Sequence, residues 1–144
     1  MFDLGMISRT LGGKAALGRP AGSFGEMQAR LREGLPYASL EALSEGFRIS
    51  QDDLVRLLHL PPRTLARRKK ERRLRSSESD RLFRVGMIAA LAEETLGSRV
   101  KAGHWLHQRN RALGDETPLN LLDTDLGARQ VEQVLMRIGH GVHS

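Results

Sequence analysis

The stretch Ser50-Gln51-Asp52-Asp53-Leu54-Val55-Arg56-Leu57-Leu58-His59-Leu60-Pro61-Pro62-Arg63-Thr64-Leu65-Ala66-Arg67-Arg68-Lys69-Lys70 reads as two helices separated by a forced stop. Ser50 followed by Asp53 has the form of a capping box, in which a hydroxyl accepts from a free backbone N–H of the first helical turn. Leu54, Leu57 and Leu58 then recur at i, i+3 and i+4, the spacing of a helix packed along one side. His59-Leu60-Pro61-Pro62 ends that helix, because proline has no N–H and disfavours helical geometry in the residue before it. Pro62 suits the first turn of a second helix, where the missing donor costs nothing. Leu65 and Ala66 are expected to face inward, with Arg63, Thr64, Arg67 and Arg68 outward.

Charge sharpens this reading. From Arg63 to Arg84 there are ten Lys/Arg against three Asp/Glu, a balance of +7, whereas the whole chain carries +6. The positive charge is therefore one patch. A basic helix behind a tight turn is a device for entering the DNA major groove. In that reading Arg63, Thr64, Arg67 and Arg68 meet base edges or flanking phosphates, while Lys69, Lys70, Arg72, Arg73 and Arg75 serve mainly as phosphate contacts. The alternative is a solvated basic helix with no partner. Arg81 and Arg84 lie on the next helix among Leu82, Phe83 and Val85, placed to join two modules instead of meeting DNA.

Working outward, helical spacing recurs and β-branched alternation does not, so the fold class is all-α. Ser39 is a candidate N-cap for a helix bearing Leu40, Leu43 and Phe47. A polar break at Ser76-Ser77-Glu78-Ser79 precedes a long helix from about Asp80 to Leu96, ended by Gly97. Further helices are expected over Arg99–Arg109 (Ala102, Trp105 and Leu106 inward), from Thr117-Pro118 through Leu122, and from Asp125 or Leu126 to Ile138 with Gly139 at its C-terminal cap. Residues 1–34, rich in glycine, read as a mobile or partner-binding arm with one or two short helices. Five Arg/Lys against Asp3 and Glu26 in the first 32 residues leave a transit peptide as the alternative. The division is an arm (1–34), a helix-turn-helix module (35–79) and a C-terminal helical module (80–144).

Composition narrows the classes further. The chain has 144 residues, 40% hydrophobic and 28% charged, enough for a core of its own. It has no cysteine, which removes thiolate metal sites and disulfides and fits a cytoplasmic location. No apolar run approaches the ~20 residues of a membrane span. Aromatics are 4%, too few for base stacking to be the main mode of nucleic-acid contact. His104 and His107, like His140 and His143, have a spacing compatible with a shared metal, but no carboxylate completes a ligand set, so a solvent-facing pair is expected. Gly12-Gly13-Lys14-Ala15 lacks the Ser/Thr of a phosphate loop. No nucleophile–base arrangement stands out, so neither catalysis nor a cofactor is expected.

From Gly34 to Ser144 the chain resembles the antitoxins of RES–Xre toxin–antitoxin pairs, a group related to the MbcA and ParS antitoxins. The resemblance rests on Arg63-Thr64-Leu65-Ala66-Arg67-Arg68, Glu78-Ser79-Asp80-Arg81-Leu82-Phe83-Arg84, Trp105-Leu106 with Asn110, and Leu113-Gly114. It continues through Thr117-Pro118-Leu119, Leu122, Thr124 and Gly127, and closes with Val131-Glu132, Leu135, Arg137-Ile138 and Gly141. Asp115 departs from it where the family often has a second glycine, with only a changed turn expected. The resemblance implies an Xre-like helix-turn-helix module followed by a toxin-binding module. It implies neutralisation of an NAD-consuming RES-domain toxin and repression of the antitoxin's own operon through operator DNA; a homodimer follows from the two half-sites such readers usually meet. It also implies that Trp105 and the end of the chain, namely Arg137, Ile138, Gly139, His140, Gly141, Val142, His143 and Ser144, contact the toxin, the last eight at the mouth of its active site. Without the resemblance the terminus reads as a frayed tail. A plain transcriptional regulator with a C-terminal dimerisation or sensing domain is the alternative function.

Overall fold

The helix that organises the molecule is its longest. In a computed structural model that describes residues 3–141, Ser76–Leu96 (α7) runs for 21 residues, about 32 Å. Leu82, Val85, Ile88, Ala89 and Ala92 are buried along it. Before it come Leu4–Thr10 (α1), Gly13–Leu17 (α2), Phe24–Glu33 (α3), Tyr37–Phe47 (α4), Gln51–Leu58 (α5) and Pro62–Glu71 (α6); after it come Arg99–Leu106 (α8) and Asp125–Gly139 (α9). Two 3₁₀ segments, Arg111–Leu113 and Leu119–Asp123, link α8 to α9. Helices α1, α3, α4 and α5 pack on α7 from one part of the chain, and α8 and α9 from the other. Among the described residues there is no strand, only two isolated bridges, and no helix is long and apolar enough to cross a membrane.

The glycine-rich N-terminus is not an arm. Asp3 caps α1 by accepting from the Gly5 and Met6 N–H groups, and Ser23 caps α3 by accepting from Glu26. Ile7, Leu11, Met27 and Leu31 then enter the common core. Their burial removes apolar area from water at about 25 cal/mol per Å², which offsets the ordering of the glycine-rich turns between them. The junction after α3 is also fixed. Gly34 sits at φ 102, and a side chain there would collide with the Leu74 carbonyl. The Leu74 N–H donates to Leu35 O (2.9 Å) and the Tyr37 N–H to Arg72 O (3.0 Å), so residues 34–37 pair antiparallel with the chain leaving α6.

That pairing moves the start of α4. Its N-cap is Pro36 and not Ser39, which lies buried within the first turn. The expected break at Ser76–Ser79 is the first turn of α7. The Ser79 hydroxyl accepts from the buried Leu35 N–H (2.7 Å), and Glu78 accepts from the Arg75 N–H (2.8 Å), so these polar residues are satisfied inside the helix start. Helix α8 stops at Leu106, short of Arg109. Beyond it the Asn110 N–H pairs with Glu116 O, and its side chain caps the first 3₁₀ segment. In α9, Gly139 remains helical, and the left-handed position falls to Gly141 at φ 72. Elsewhere the expected signals hold: Ser50 accepts from Asp53 (3.1 Å), Pro62 opens α6, and Thr124 accepts from Gly127 (3.0 Å).

Candidate nucleic-acid interface and C-terminal surface

Helices α5 and α6 meet across three residues, His59, Leu60 and Pro61. His59 takes a left-handed conformation (φ 56), which turns the chain sharply, and Leu60 is buried beneath the turn. Leu54, Leu57, Leu58 and Leu65 are also buried and hold the two helices on the core. The outward face of α6 presents Arg63, Arg67, Lys69 and Lys70, all exposed, with Thr64 half-buried among them. Arg72 and Arg73 continue the exposed face beyond the helix, although Arg73 donates to the Gly34 carbonyl oxygen (2.7 Å).

Arg68 is not on that face. It is buried, and its Nε donates to Glu78 Oε1 (2.8 Å) and Oε2 (3.0 Å), while Nη1 reaches Glu71 Oε1 (3.3 Å). Conversely Ala66, expected inward, is exposed. The inward stripe of α6 is Leu65–Arg68, at i and i+3, with the guanidinium at the end of the stripe neutralised by a carboxylate from α7. The hydrogen bond that Arg68 donates to Glu78 raises the pKa of Arg68 against the opposing effect of burial. Burial also pushes the Glu78 carboxyl up, but the hydrogen bonds from Arg68 and the Arg75 N–H, with the nearby positive charges, hold it below its ordinary value. A buried pair satisfied on both sides fixes one orientation of α6 on α7. Arg68 is thus withdrawn from the expected DNA-facing set, which leaves Arg63, Thr64, Arg67, Lys69, Lys70, Arg72, Arg73 and Arg75 as accessible residues.

Arginines also join the two halves of the molecule. Arg81 donates to Leu58 O at the end of α5 (3.2 Å), and Arg84 to Leu122 O and Asp123 O (both 3.3 Å). The sequence singled out this pair for a joining role. It missed Arg56, which donates to the Asn120 backbone and side-chain oxygens (3.0 and 2.9 Å), and His59, whose Nε2 lies 2.9 Å from Asp123 O. These partners are carbonyls 64 residues away, and carbonyls leave no sequence signal. The second 3₁₀ segment is in turn locked to α9, where a side chain at Gly127 would collide with the Leu121 carbonyl.

In the C-terminal half, Val131, Val134 and Leu135 are buried and set the direction of α9. Ile138 is half-buried, and Arg137, Gly139, His140 and Gly141 are exposed at its end. Val142, His143 and Ser144 lie outside the described residues. Trp105 is half-buried against the core and sits on α8, a different element from the end of α9. His104 and His107 face solvent, as expected, and His107 Nε2 lies 3.1 Å from Phe47 O. Asp115 occupies a left-handed position (φ 64) directly after Gly114 (φ 67), the conformation a second glycine would adopt without strain and aspartate tolerates.

Comparison with known proteins divides the chain in two. Residues 26–86 match the antitoxin Xre-like helix-turn-helix domain, a match that begins inside α3 and includes α4 to α6. Residues 91–141 match the antitoxin Xre/MbcA/ParS C-terminal toxin-binding domain, which begins inside α7 and includes α8 and α9. The chain is 33% identical over 117 residues to a protein named Antitoxin Xre from Pseudomonas putida, covering 81% of this chain and 72% of that one. It is 30% identical over 130 residues to an Antitoxin Xre from Photorhabdus laumondii, covering 89% and 88% of the two chains. An all-α chain with an Xre-like helix-turn-helix domain ahead of a toxin-binding domain, similar along most of its length to these proteins, belongs to the Xre/MbcA/ParS antitoxin family.

Proposed function

We propose that this chain is a non-enzymatic, cytoplasmic antitoxin that neutralises a RES-domain, NAD-consuming toxin and represses its own operon. The observation that carries the proposal is the separation of two surfaces on one body. The exposed cations of α6 belong to the part that matches a helix-turn-helix domain, and the exposed end of α9 belongs to the part that matches a toxin-binding domain. In this mechanism Arg63, Thr64 and Arg67 meet base edges, and Lys69, Lys70, Arg72 and Arg73 meet phosphates of operator DNA, with two copies of the chain on two half-sites. The toxin receives residues 137–144. Small residues there let the backbone approach closely. Trp105 stands on the same domain as a second contact.

Co-expression with a RES-type gene from the same operon tests the toxin half. Deleting residues 137–144 should release toxicity, read as lost growth and falling NAD, while promoter repression stays at the full-length level. Full protection by the truncated chain would refute the role of the C-terminal end. Absence of any complex between the full chain and the toxin would favour a plain regulator.

A further inference from the structure

A second basic region lies outside α6. Residues 95–114 contain Arg99, Lys101, Arg109 and Arg111 together with His104 and His107, and no Asp or Glu. Arg99 is engaged, pairing with Glu93 (3.2 Å) and lying over the Phe47 ring. Lys101, His104, His107, Arg109 and Arg111 are exposed. Helix α8 passes along the end of α4, with Gly103 facing the Phe47 backbone and the His107 ring against the Phe47 carbonyl. The result is an open cleft of ≈ 250 Å³ lined by Arg48, Gly103, His104 and His107.

The chemistry of this cleft is that of a donor site. Arg48, exposed and left-handed (φ 59) at the end of α4, supplies a fixed charge. His107 donates from Nε2 to the Phe47 carbonyl, which can only accept, and so ties α8 to the end of α4; its Nδ1 is then the accepting nitrogen and offers no donor to the cleft. His104 adds an exposed imidazole beside it. The cleft also has a defined place relative to the recognition helix. Arg48 stands two residues before Ser50, the cap of α5, and α5 is about 12 Å long before it reaches the turn into α6. In a helix-turn-helix the helix ahead of the turn crosses the DNA backbone, so phosphates run past it while the next helix enters the groove. The nearest carboxylates in sequence are Glu45 before Arg48 and Asp52 and Asp53 after it; Asp53 is occupied by Arg56 (3.6 Å), and Glu45 forms no ion pair with Arg48 among the described residues.

We propose that Arg48 and His104 form a DNA-phosphate contact that straddles the helix-turn-helix and C-terminal domains, with His107 holding α8 against α4 beneath it. The proposal rests on the DNA-binding reading above. It adds that the domain matched as toxin-binding holds part of the DNA grip through α8. Because the ligand is the backbone, the contact is indifferent to base sequence and sensitive to salt.

The test uses the full chain and a duplex of about 30 base pairs of arbitrary sequence, titrated by fluorescence anisotropy between about 50 and 200 mM salt. Arg48→Asn keeps a residue that accepts the left-handed conformation, and His104→Glu replaces an exposed donor with a carboxylate, so the double variant should melt like the wild type. Its affinity should fall several-fold, and its plot of log affinity against log salt should become shallower by about one for each phosphate no longer neutralised. R63A/R67A, measured in parallel, should weaken binding through α6. An unchanged slope and affinity in R48N/H104E beside a weakened R63A/R67A would overturn the straddling site and leave the helix-turn-helix reading standing. Failure of the wild-type chain to bind duplex would overturn both. If R48N/H104E weakened only a complex with toxin, the cleft would belong to a protein partner and the proposal would be wrong.

Discussion

Helices α6 and α9 end the two halves of the molecule, and they are held by opposite means. Helix α6 has little apolar surface to bury. Its inward stripe is Leu65 and Arg68, and the Arg68–Glu78 pair takes the place of a second apolar contact. Helix α9 buries Val131, Val134 and Leu135, with Gly127 admitting the Leu121 carbonyl at its start. A surface that must present many cations leaves few positions for apolar anchors, so its orientation depends on a directional polar contact. A surface that presents a helix end can be fixed by packing alone. Disturbance of the first should therefore be sensitive to charge and pH, and disturbance of the second to volume.

The largest effect should come from breaking the polar anchor. Glu78→Ala leaves Arg68 buried with only the partly exposed Glu71 nearby, and removing one partner of such a pair typically costs about 3–5 kcal/mol. Denaturant unfolding should show that loss, with weaker DNA binding. The pH dependence has a definite sign. The Glu78 carboxyl is held below its ordinary 4.5, so the stability it contributes is present above that value and is lost as pH falls through the lower folded-state value. Acid unfolding of Glu78→Gln should lack this component. If both proteins lost stability equally on acidification, the pair would not be the anchor.

Gly127→Ala should come next, at about 1–3 kcal/mol, because the added methyl must displace the Leu121 carbonyl and shift the 3₁₀ segment against α5. Its effect should be independent of salt and pH, in contrast to Glu78→Ala. Ser50→Ala should cost about 1 kcal/mol by removing the α5 cap. It should leave toxin binding untouched, and a toxin defect from this variant would mean that the two halves are not separable.

The legible parts of the fold were those decided within one turn of chain. Ser50, Pro62, Thr124 and the leucines of α5 act on residues three or four positions away, and their patterns survive without tertiary knowledge. The first turn of α7 was illegible because Ser79 and Glu78 are satisfied by Leu35 and Arg68, which lie 44 and 10 residues away. The docking of the N-terminal helices was hidden by the glycines around them, although Ile7, Leu11, Met27 and Leu31 carry the burial. At the candidate site, composition indicated that the cations of α6 share one helix, and all but Arg68 lie exposed on it. It did not reveal that Arg68 turns inward, since the i+3 spacing from Leu65 competes with the expectation that arginine faces water.

The proposed separation of a DNA face from a toxin face is tested most directly by titrating R63A/R67A against a duplex carrying the region upstream of its own operon, with toxin bound. Removing a bidentate arginine–base pair costs about 1–3 kcal/mol, so operator affinity should fall by tenfold or more while the mass of the toxin complex is unchanged. Operator affinity equal to that of the wild type would contradict the assignment of α6 as the reading helix.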